Sequence, residues 1–309
     1  MNGVTITPEL VSRLVADQFP QWAHLPVRPV TIDGWDNATF RLGDALSVRL
    51  PSGEAYAAQV EKEHLWLPLL ARELPLAIPE PLARGVPAYG FPWPWSVYRW
   101  LPGESASVAA IDELSALATA LAEFLSALYE IDPAGGPTPG EQNFHRGGSL
   151  AVYDEETRQA IRTLDGVIDS RGATEVWEAA LAARWDERPV WVHGDVAPSN
   201  LLVSGGRLSA VIDFGCSAVG DPACDLAITW TFLTDRGRHT FRKGLSLDDA
   251  TWARGRGWAL WKALITLSPA LAGRAPAAGA AVARLGWRVD ARHVVEDVID
   301  DHRRTGARS

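Results

Sequence analysis

In the first hundred residues, short runs in which apolar and polar residues alternate predict strands. Between these runs lie segments whose apolar residues recur with the period of a helix. Residues 7–20 have the apolar spacing of a helix that begins near Pro8. Two strand-like runs over 40–42 and 46–50 flank Gly43-Asp44, which predicts a hairpin. Residues 54–70 predict a second helix, and 96–100 predict a further strand. This part of the chain therefore combines a small sheet with helices.

The pattern changes after residue 108, where helical periods dominate. Residues 108–131 place their apolar side chains at steps of three and four, and 155–184 are also predicted to be helical. A buried strand over 190–193 leads into a polar loop, and the runs between 201 and 214 predict a hairpin. From Asp225 onward the chain is predicted to be mostly helical.

A turn at Leu101-Pro102-Gly103-Glu104 separates these two patterns. We therefore predict an N-terminal lobe over residues 1–101 and a C-terminal lobe over residues 102–309. The expected class is α+β, with a sheet in the small lobe, a hairpin at the centre of the helical lobe and a cleft at their junction.

Composition narrows the classes of partner. The net charge of −9 disfavours nucleic acid and permits a cationic ligand. We find no basic segment followed by an apolar one at the N-terminus, and no apolar run long enough to span a membrane. Cys216 and Cys224 do not form a C-x-x-C pair. Two cysteines without such a pattern are typical of reduced thiols, so we expect a cytoplasmic protein.

The candidate chemistry is concentrated in the loop after the buried strand and in the hairpin that follows. Asp195 is placed to accept a hydrogen bond from a substrate hydroxyl, and His193 is placed to orient the loop. Asn200 and Asp213 offer the hard oxygen atoms that Mg²⁺ prefers. Asp225 either caps the next helix or holds the backbone of the Asp195 loop.

These motifs resemble the aminoglycoside phosphotransferase family of kinase-like small-molecule kinases. The resemblance is carried by residues 193–200, 212–215 and 221–225. Residues 34–42 and 95–104 resemble the nucleotide lobe of that family. The resemblance implies a bilobal protein-kinase-like fold, with an antiparallel sheet plus a helix in the small lobe and a catalytic hairpin in the larger, mostly helical lobe.

The resemblance also implies the reaction and its cofactors. A protein of this kind transfers the γ-phosphate of ATP or GTP to a hydroxyl of a small molecule, with Mg²⁺ neutralising the phosphates. Asp195 is then the catalytic base, with His193 beside it, and Asn200 and Asp213 are the metal ligands.

One expected nucleotide residue is substituted. The family places a lysine on the third strand, whereas the matching strand here carries Arg49. Lysine occurs in this chain only at positions 62, 243 and 262. Arg49 binds phosphate with a different geometry from lysine, which leaves the preference between ATP and GTP open. Glu63 is the expected helix partner of Arg49, with Glu61 as its competitor.

The remaining nucleotide contacts are expected from the backbone. Residues 34–39 contain one glycine and no G-x-G-x-x-G, and they form either a phosphate loop that includes Asn37 and Thr39 or a surface turn. The resemblance places the adenine edge near Tyr98 and Trp100.

Trp230 and Asp235 are the substrate residues that we predict, since they follow the Asp225 segment most closely. A cationic aminoglycoside would use carboxylates, and an apolar macrolide would use tryptophans. A solvated helix face or a core position is the alternative for both residues.

Three other functions stay open. An endogenous amino-alcohol or sugar could be the acceptor in place of an antibiotic. Arg49 in the lysine position also permits a pseudokinase-like nucleotide-binding module. A metal-dependent phosphohydrolase built on His193, Asp195 and Asp213 is disfavoured because the other histidines are scattered singly.

Overall fold

The computed structural model describes residues 5–30, 36–271, 287 and 289–306. The Gly34-Trp35 part of the predicted phosphate loop lies outside the described residues. The chain forms two compact units. The first unit is Met1–Pro102 with Val211–Gly215, and the second unit is Gly103–Ala210 with Cys216–Ser309.

The first unit contains an antiparallel sheet and two helices. Its elements are α1 (Pro8–Gln18), β1 (Val27–Pro29), β2 (Asn37–Leu42), β3 (Leu46–Pro51), α2 (Glu54–Leu70), β4 (Pro81–Gly85) and β5 (Trp95–Arg99). The sheet order is β1-β2-β3-β5-β4, and each neighbouring pair is antiparallel.

Local signals explain where these elements begin and turn. The Thr7 hydroxyl accepts a hydrogen bond from the Leu10 N–H at 3.3 Å, and Pro8 occupies the first turn of α1. Gly43 turns the β2–β3 hairpin at a φ of 60°, a backbone conformation that side chains disfavour. The buried face of α1 and the inner face of the sheet share one apolar core that includes Leu14, Phe40 and Trp95.

The second unit is mostly helical. Its strands are β6 (Glu104–Ser105), β7 (Val190–Val192), β8 (Leu201–Ser204), β9 (Arg207–Val211, whose last residue belongs to the first unit) and β10 (Ala218–Gly220). Its helices are α3 (Leu114–Glu130), α4 (Asp154–Thr163), α5 (Ser170–Ala182), α6 (Ile228–Thr231), α7 (Asp235–Gly244), α8 (Asp249–Leu271) and α9 (Ala291–Gly306). Within the described ranges, none of the helices has both the length and the apolar character to cross a membrane.

Two short sheets frame the predicted catalytic loop. β7 pairs with β10 in antiparallel register, with Val192 opposite Ala218. β8 lies between β6 and β9 in a three-stranded sheet. The segment between β7 and β8 is therefore anchored by a strand at each end.

The structure corrects two helix boundaries. The helix predicted over 155–184 is two helices, because Gly166 adopts a φ of 77° and Asp169 begins α5 by accepting the Gly172 N–H at 2.9 Å. The helix predicted from 108 begins at Leu114, since Ala109 lies in a turn that bonds back to Ser105.

Candidate active site

The loop His193–Asn200 begins where β7 ends and depends on a glycine. Gly194 has a φ of 83°, and a Cβ at this position would lie 2.4 Å from the Cys216 carbonyl oxygen. Any side chain there would meet both a strained backbone and a fixed carbonyl. Pro198–Asn200 then form one turn of 3₁₀-helix that leads into β8. Only glycine therefore suits the position before Asp195.

The Asp225 carboxylate holds the start of this loop through two backbone N–H groups. Its Oδ1 accepts the Gly194 N–H at 2.7 Å, and its Oδ2 accepts the His193 N–H at 3.0 Å. The side chain is fully buried. Burial raises the pKa of Asp225 to about 6, although the two backbone N–H groups act to lower it. Asp225 thus fixes the loop backbone through contacts that are strongest when its carboxylate is charged.

Asp195 is held from three sides within the second unit. Its N–H donates to His193 Nδ1 at 3.2 Å, and Asn200 Nδ2 donates to the Asp195 carbonyl at 2.9 Å and to Oδ2 at 3.3 Å. Lys262 Nζ donates to Oδ1 at 2.6 Å. About a third (34%) of the Asp195 side chain is exposed, which leaves a face open to a ligand.

The charge of Asp195 follows from its neighbours. Burial alone would raise its pKa, but the cations of Lys262 and Arg146 outweigh burial and lower the pKa to about 2. Asp195 is therefore a charged acceptor at neutral pH, and it is better suited to orienting a hydroxyl than to strong proton abstraction.

The oxygen atoms of Asn200 and Asp213 are of the kind that Mg²⁺ prefers as ligands. Asn200 uses Nδ2 for both hydrogen bonds to Asp195, so Oδ1 is the atom that it can offer to a metal. Asp213 has a carboxylate that is 32% exposed, and its φ is 70°. No group of three or more His, Cys, Asp or Glu suited to a metal occurs among the described residues, so the magnesium prediction depends on Asn200 and Asp213.

In the first unit, Arg49 contacts the two carboxylates of Asp213 and Glu63. Its Nη2 donates to Asp213 Oδ1 at 3.1 Å, and its Nη1 lies 3.7 Å from Glu63 Oε1. The Tyr98 hydroxyl donates to Glu63, and the Arg49 guanidinium lies 5.7 Å from the centre of the Tyr98 ring. Burial acts to lower the pKa of Arg49, but the two carboxylates outweigh it and raise the pKa.

Glu63 and Glu61, the two candidate partners of Arg49, differ in their surroundings. Glu63 is buried and contacts Arg49, whereas Glu61 is exposed and lies 3.9 Å from Arg84. Lys62 does not replace the expected strand lysine, because its Nζ donates to the Gly215 carbonyl at 2.5 Å. The nucleotide roles of Arg49 and Glu63 stay predictions.

The other predicted nucleotide residues lie in the sheet or at its end. Asn37 begins β2 and is buried, and Thr39 lies opposite Arg49 in the β2–β3 ladder. Trp100 follows β5 and donates its N–H to the Ala45 carbonyl at 2.8 Å. These contacts fix the backbone at the predicted nucleotide positions, and the binding roles stay predictions.

The predicted substrate residues are not brought together with Asp195 by any described contact. Trp230 is only 1% exposed and packs edge to face against Trp252, with ring centres 6.3 Å apart. Asp235 begins α7, and its side chain is outside the described set. Their substrate roles stay predictions.

Sequence reasoning missed Lys262 and Arg146, which are close to Asp195. Lys262 lies on α8, one residue after Trp261. The signal available was its position in an apolar helix of a chain with few lysines, because a buried lysine requires a charged partner. Arg146 follows a loop rich in glycine and proline and offered no comparable signal.

The α+β architecture and the Asp195 loop define a kinase-like protein. The chain matches the family described as "Phosphotransferase enzyme family" over residues 27–258, and it belongs to that family. The match confirms the predicted family and the class of enzyme, a phosphotransferase, and the solved structures below share the predicted kinase-like fold. No curated protein matches the chain.

Solved structures share the fold at low sequence identity. The GDP complex of a wild-type aminoglycoside 2'-phosphotransferase-IIIa is 18% identical with a TM-score of 0.71, over 96% of this chain and 100% of that one. A streptomycin–ATP ternary complex of APH(2")-IIa is 20% identical with a TM-score of 0.58, over 94% and 99%. A macrolide 2'-phosphotransferase from Brachybacterium faecium is 23% identical with a TM-score of 0.58, over 90% and 98%.

Proposed function

We propose that the protein transfers the γ-phosphate of ATP or GTP to a hydroxyl of a small molecule in a Mg²⁺-dependent reaction. The observation that carries this proposal is the Asp195 carboxylate. It is charged, partly exposed and fixed by His193, Asn200 and Lys262 on a loop that Asp225 braces. Such a carboxylate can hold an acceptor hydroxyl in one orientation, which phosphoryl transfer requires.

The transfer forms one bond to phosphorus, breaks another and moves one proton to Asp195. The acceptor oxygen forms a bond to the γ-phosphorus, and the bond from that phosphorus to the bridging oxygen of the nucleotide breaks. The nucleoside diphosphate leaves, and the hydroxyl proton passes to Asp195. A transition state with little nucleophile bonding needs only late proton transfer, so the low pKa of Asp195 is compatible with this role.

Mg²⁺ supplies neutralisation of the nucleotide phosphates when it is bound. Asn200 and Asp213 are its proposed ligands, and Arg49, held by Glu63 and Asp213, is the proposed phosphate contact in the first unit. Arginine in this place keeps a permanent positive charge and offers two parallel N–H groups to phosphate oxygens.

Antibiotics are the first acceptor class to test. Solved relatives of the fold include an aminoglycoside enzyme with streptomycin and a macrolide enzyme, which makes resistance to such compounds the leading biological role. An endogenous amino-alcohol or sugar is the second acceptor class. Arg49 also keeps a third reading open, in which the protein binds nucleotide without turnover.

A coupled nucleotide-consumption screen separates these readings. ATP and GTP are each offered with aminoglycosides, macrolides, amino-alcohols and sugars, and a chelator control tests the need for Mg²⁺. Acceptor-dependent and chelator-sensitive consumption is the expected result. Turnover on a metabolite alone would remove the resistance role. Nucleotide binding by calorimetry without turnover on any acceptor would contradict the proposed transfer.

A further inference from the structure

Two buried cations of the second unit lie beside the proposed catalytic carboxylate. Lys262 contacts Asp195 directly, with 2.6 Å between Nζ and Oδ1. The Cβ of Arg146 lies 3.0 Å from the position that a Cβ on Gly194 would occupy, so Arg146 packs on the residue just before Asp195. Both cations also act on the pKa of Asp195.

Arg146 has hydrogen-bonding capacity that the protein does not use. Its side chain belongs to a residue that is only 8% exposed. Among the described residues, neither Nε nor Nη1 of Arg146 has a hydrogen-bond partner. Its guanidinium lies 4.8 Å from the ring centre of Trp261 and 5.1 Å from that of Trp258. Ring faces stabilise the charge but do not satisfy N–H groups directed along the guanidinium plane.

The segment before Arg146 is built to hold this position. Phe144 and His145 both have a φ of 52°, which is unfavourable for side-chain-bearing residues. Tyr153 donates its hydroxyl to the Phe144 carbonyl at 2.6 Å, and the buried Asn143 side chain accepts the Gly140 N–H at 2.9 Å. These contacts hold the strained segment in place and thereby fix where Arg146 emerges.

We propose that Arg146 and Lys262 form an oxyanion-binding subsite next to Asp195. The ligand is a phosphate or carboxylate group, because both present the planar or forked oxygens that a guanidinium binds through two N–H groups. This inference rests on the proposed function and extends it, since it specifies the charge of the group that lies beside the reacting hydroxyl.

Two sources can supply this oxyanion. One is the phosphoryl group during its transfer, which must pass beside the hydroxyl that Asp195 holds. The other is an anionic group of the acceptor itself, as in a hydroxy acid or a sugar phosphate. The binding chemistry is the same, and kinetics distinguish the two sources.

Inorganic phosphate is the probe for the subsite itself. Phosphate binding to the full-length protein is measured by calorimetry for wild type and for Arg146→Met and Lys262→Gln. We expect saturable binding that weakens about tenfold or more in each variant, since each loses a charge-assisted contact. Arg242→Met is the matched control, because Arg242 also lies over a tryptophan, 4.9 Å from the ring centre of Trp252. This control should bind phosphate as wild type does.

Absent phosphate binding in wild type, or equal affinity in every folded variant, would overturn the subsite. Circular dichroism identifies the folded variants, and Lys262→Gln tests the proposal if Arg146→Met does not fold. Loss of phosphate binding in the variants, together with no phosphotransfer to any acceptor, would support the subsite and contradict the proposed function. Unchanged phosphate binding beside normal acceptor turnover would do the reverse.

Steady-state kinetics of Arg146→Met then identify the source of the oxyanion. If the subsite binds the phosphoryl group, kcat falls for every acceptor and nucleotide hydrolysis without an acceptor falls as well. If it binds the acceptor, KM rises only for acceptors that carry a carboxylate or phosphate. Unchanged kcat and KM for every acceptor would contradict a role of the subsite in the reaction.

Discussion

At the scale of single residues, charges are set by competition between burial and neighbouring groups. Asp195 lies in the loop that Asp225 braces, yet the pKa values of the two carboxylates move apart, to about 2 and about 6. Lys262, whose ammonium contacts the carboxylate directly, and Arg146 account for the first value. Asp225 accepts hydrogen bonds from two backbone N–H groups, the Tyr129 hydroxyl and the Cys224 thiol, and the N–H groups, the hydroxyl and the more distant charge of Lys262 do not offset its burial.

Asp225 predicts opposite effects of acid on activity and stability. Its folded-state pKa of about 6 lies above the ordinary value of 3.8, so the folded chain binds this proton more tightly. The stabilising contribution is therefore complete below about pH 4 and is lost as the pH rises through 6. Activity should instead fall as the pH drops below 6, because a protonated Asp225 accepts the loop N–H groups less strongly.

The comparison of wild type with Asp225→Asn measures both effects. We expect wild type to gain roughly 2 kcal/mol of unfolding free energy relative to the variant as the pH falls from about 7 to about 4. We also expect kcat/KM of wild type to have an acidic limb near pH 6 that Asp225→Asn lacks. Urea unfolding and pH–rate profiles provide the two measurements, and an identical acidic limb in the variant would contradict the brace.

Arg49 predicts a measurable difference between arginine and lysine. A lysine at this position retains the charge but cannot direct two fixed N–H groups at Asp213 and Glu63. We expect Arg49→Lys to raise the nucleotide KM about tenfold, and Arg49→Met to raise it further. Arg99→Lys is the control, since Arg99 lies on the neighbouring strand in an exposed pair with Glu80. Equal KM values for Arg49→Lys and this control would argue against a phosphate contact.

At the scale of elements, the catalytic loop is defined by how closely it passes the segment before β10. Gly194 lies against the Cys216 carbonyl, whereas Gly166, which also has a positive φ of 77°, has no atom within 4 Å of its would-be Cβ. A substitution at Gly166 therefore introduces backbone strain alone, whereas a substitution at Gly194 introduces backbone strain and steric overlap. Strain alone costs about 1 kcal/mol, and overlap with a backbone carbonyl adds to it.

We expect Gly194→Ala to lose roughly 3 kcal/mol or more of stability together with most activity. Gly166→Ala should lose only about 1 kcal/mol and retain activity. Thermal unfolding and kcat of the two variants provide the measurement. Similar losses in both would show that the close approach to Cys216 does not constrain the loop.

Local sequence pattern predicts some helices and strands correctly and misses some boundaries. The β2–β3 hairpin, α2 and the strand before Asp195 follow from apolar spacing and turn residues, and the structure contains each of them. The break between α4 and α5 was missed because a continuous helical period outweighed the turn residues Asp165-Gly166. Local pattern cannot show that Asp169 caps a new helix until the geometry is known.

At the scale of the whole molecule, contiguous motifs were predictable and distant contacts were not. Asp195 and Asn200 are five residues apart in one loop, so the sequence alone indicated their proximity. Lys262 and Arg146 come from α8 and from an irregular loop, and no local spacing relates them to Asp195. The motif therefore predicted the carboxylate, whereas the cations around it depend on the fold.

Phosphotransfer by Asp195→Asn tests directly whether Asp195 orients and deprotonates the acceptor hydroxyl. Labelled γ-phosphate is followed from ATP or GTP to the acceptor identified by screening, for wild type and the variant, with nucleotide affinity measured by calorimetry. We expect kcat to fall about a thousandfold with nucleotide affinity unchanged. Transfer by Asp195→Asn within about tenfold of the wild-type kcat would contradict it.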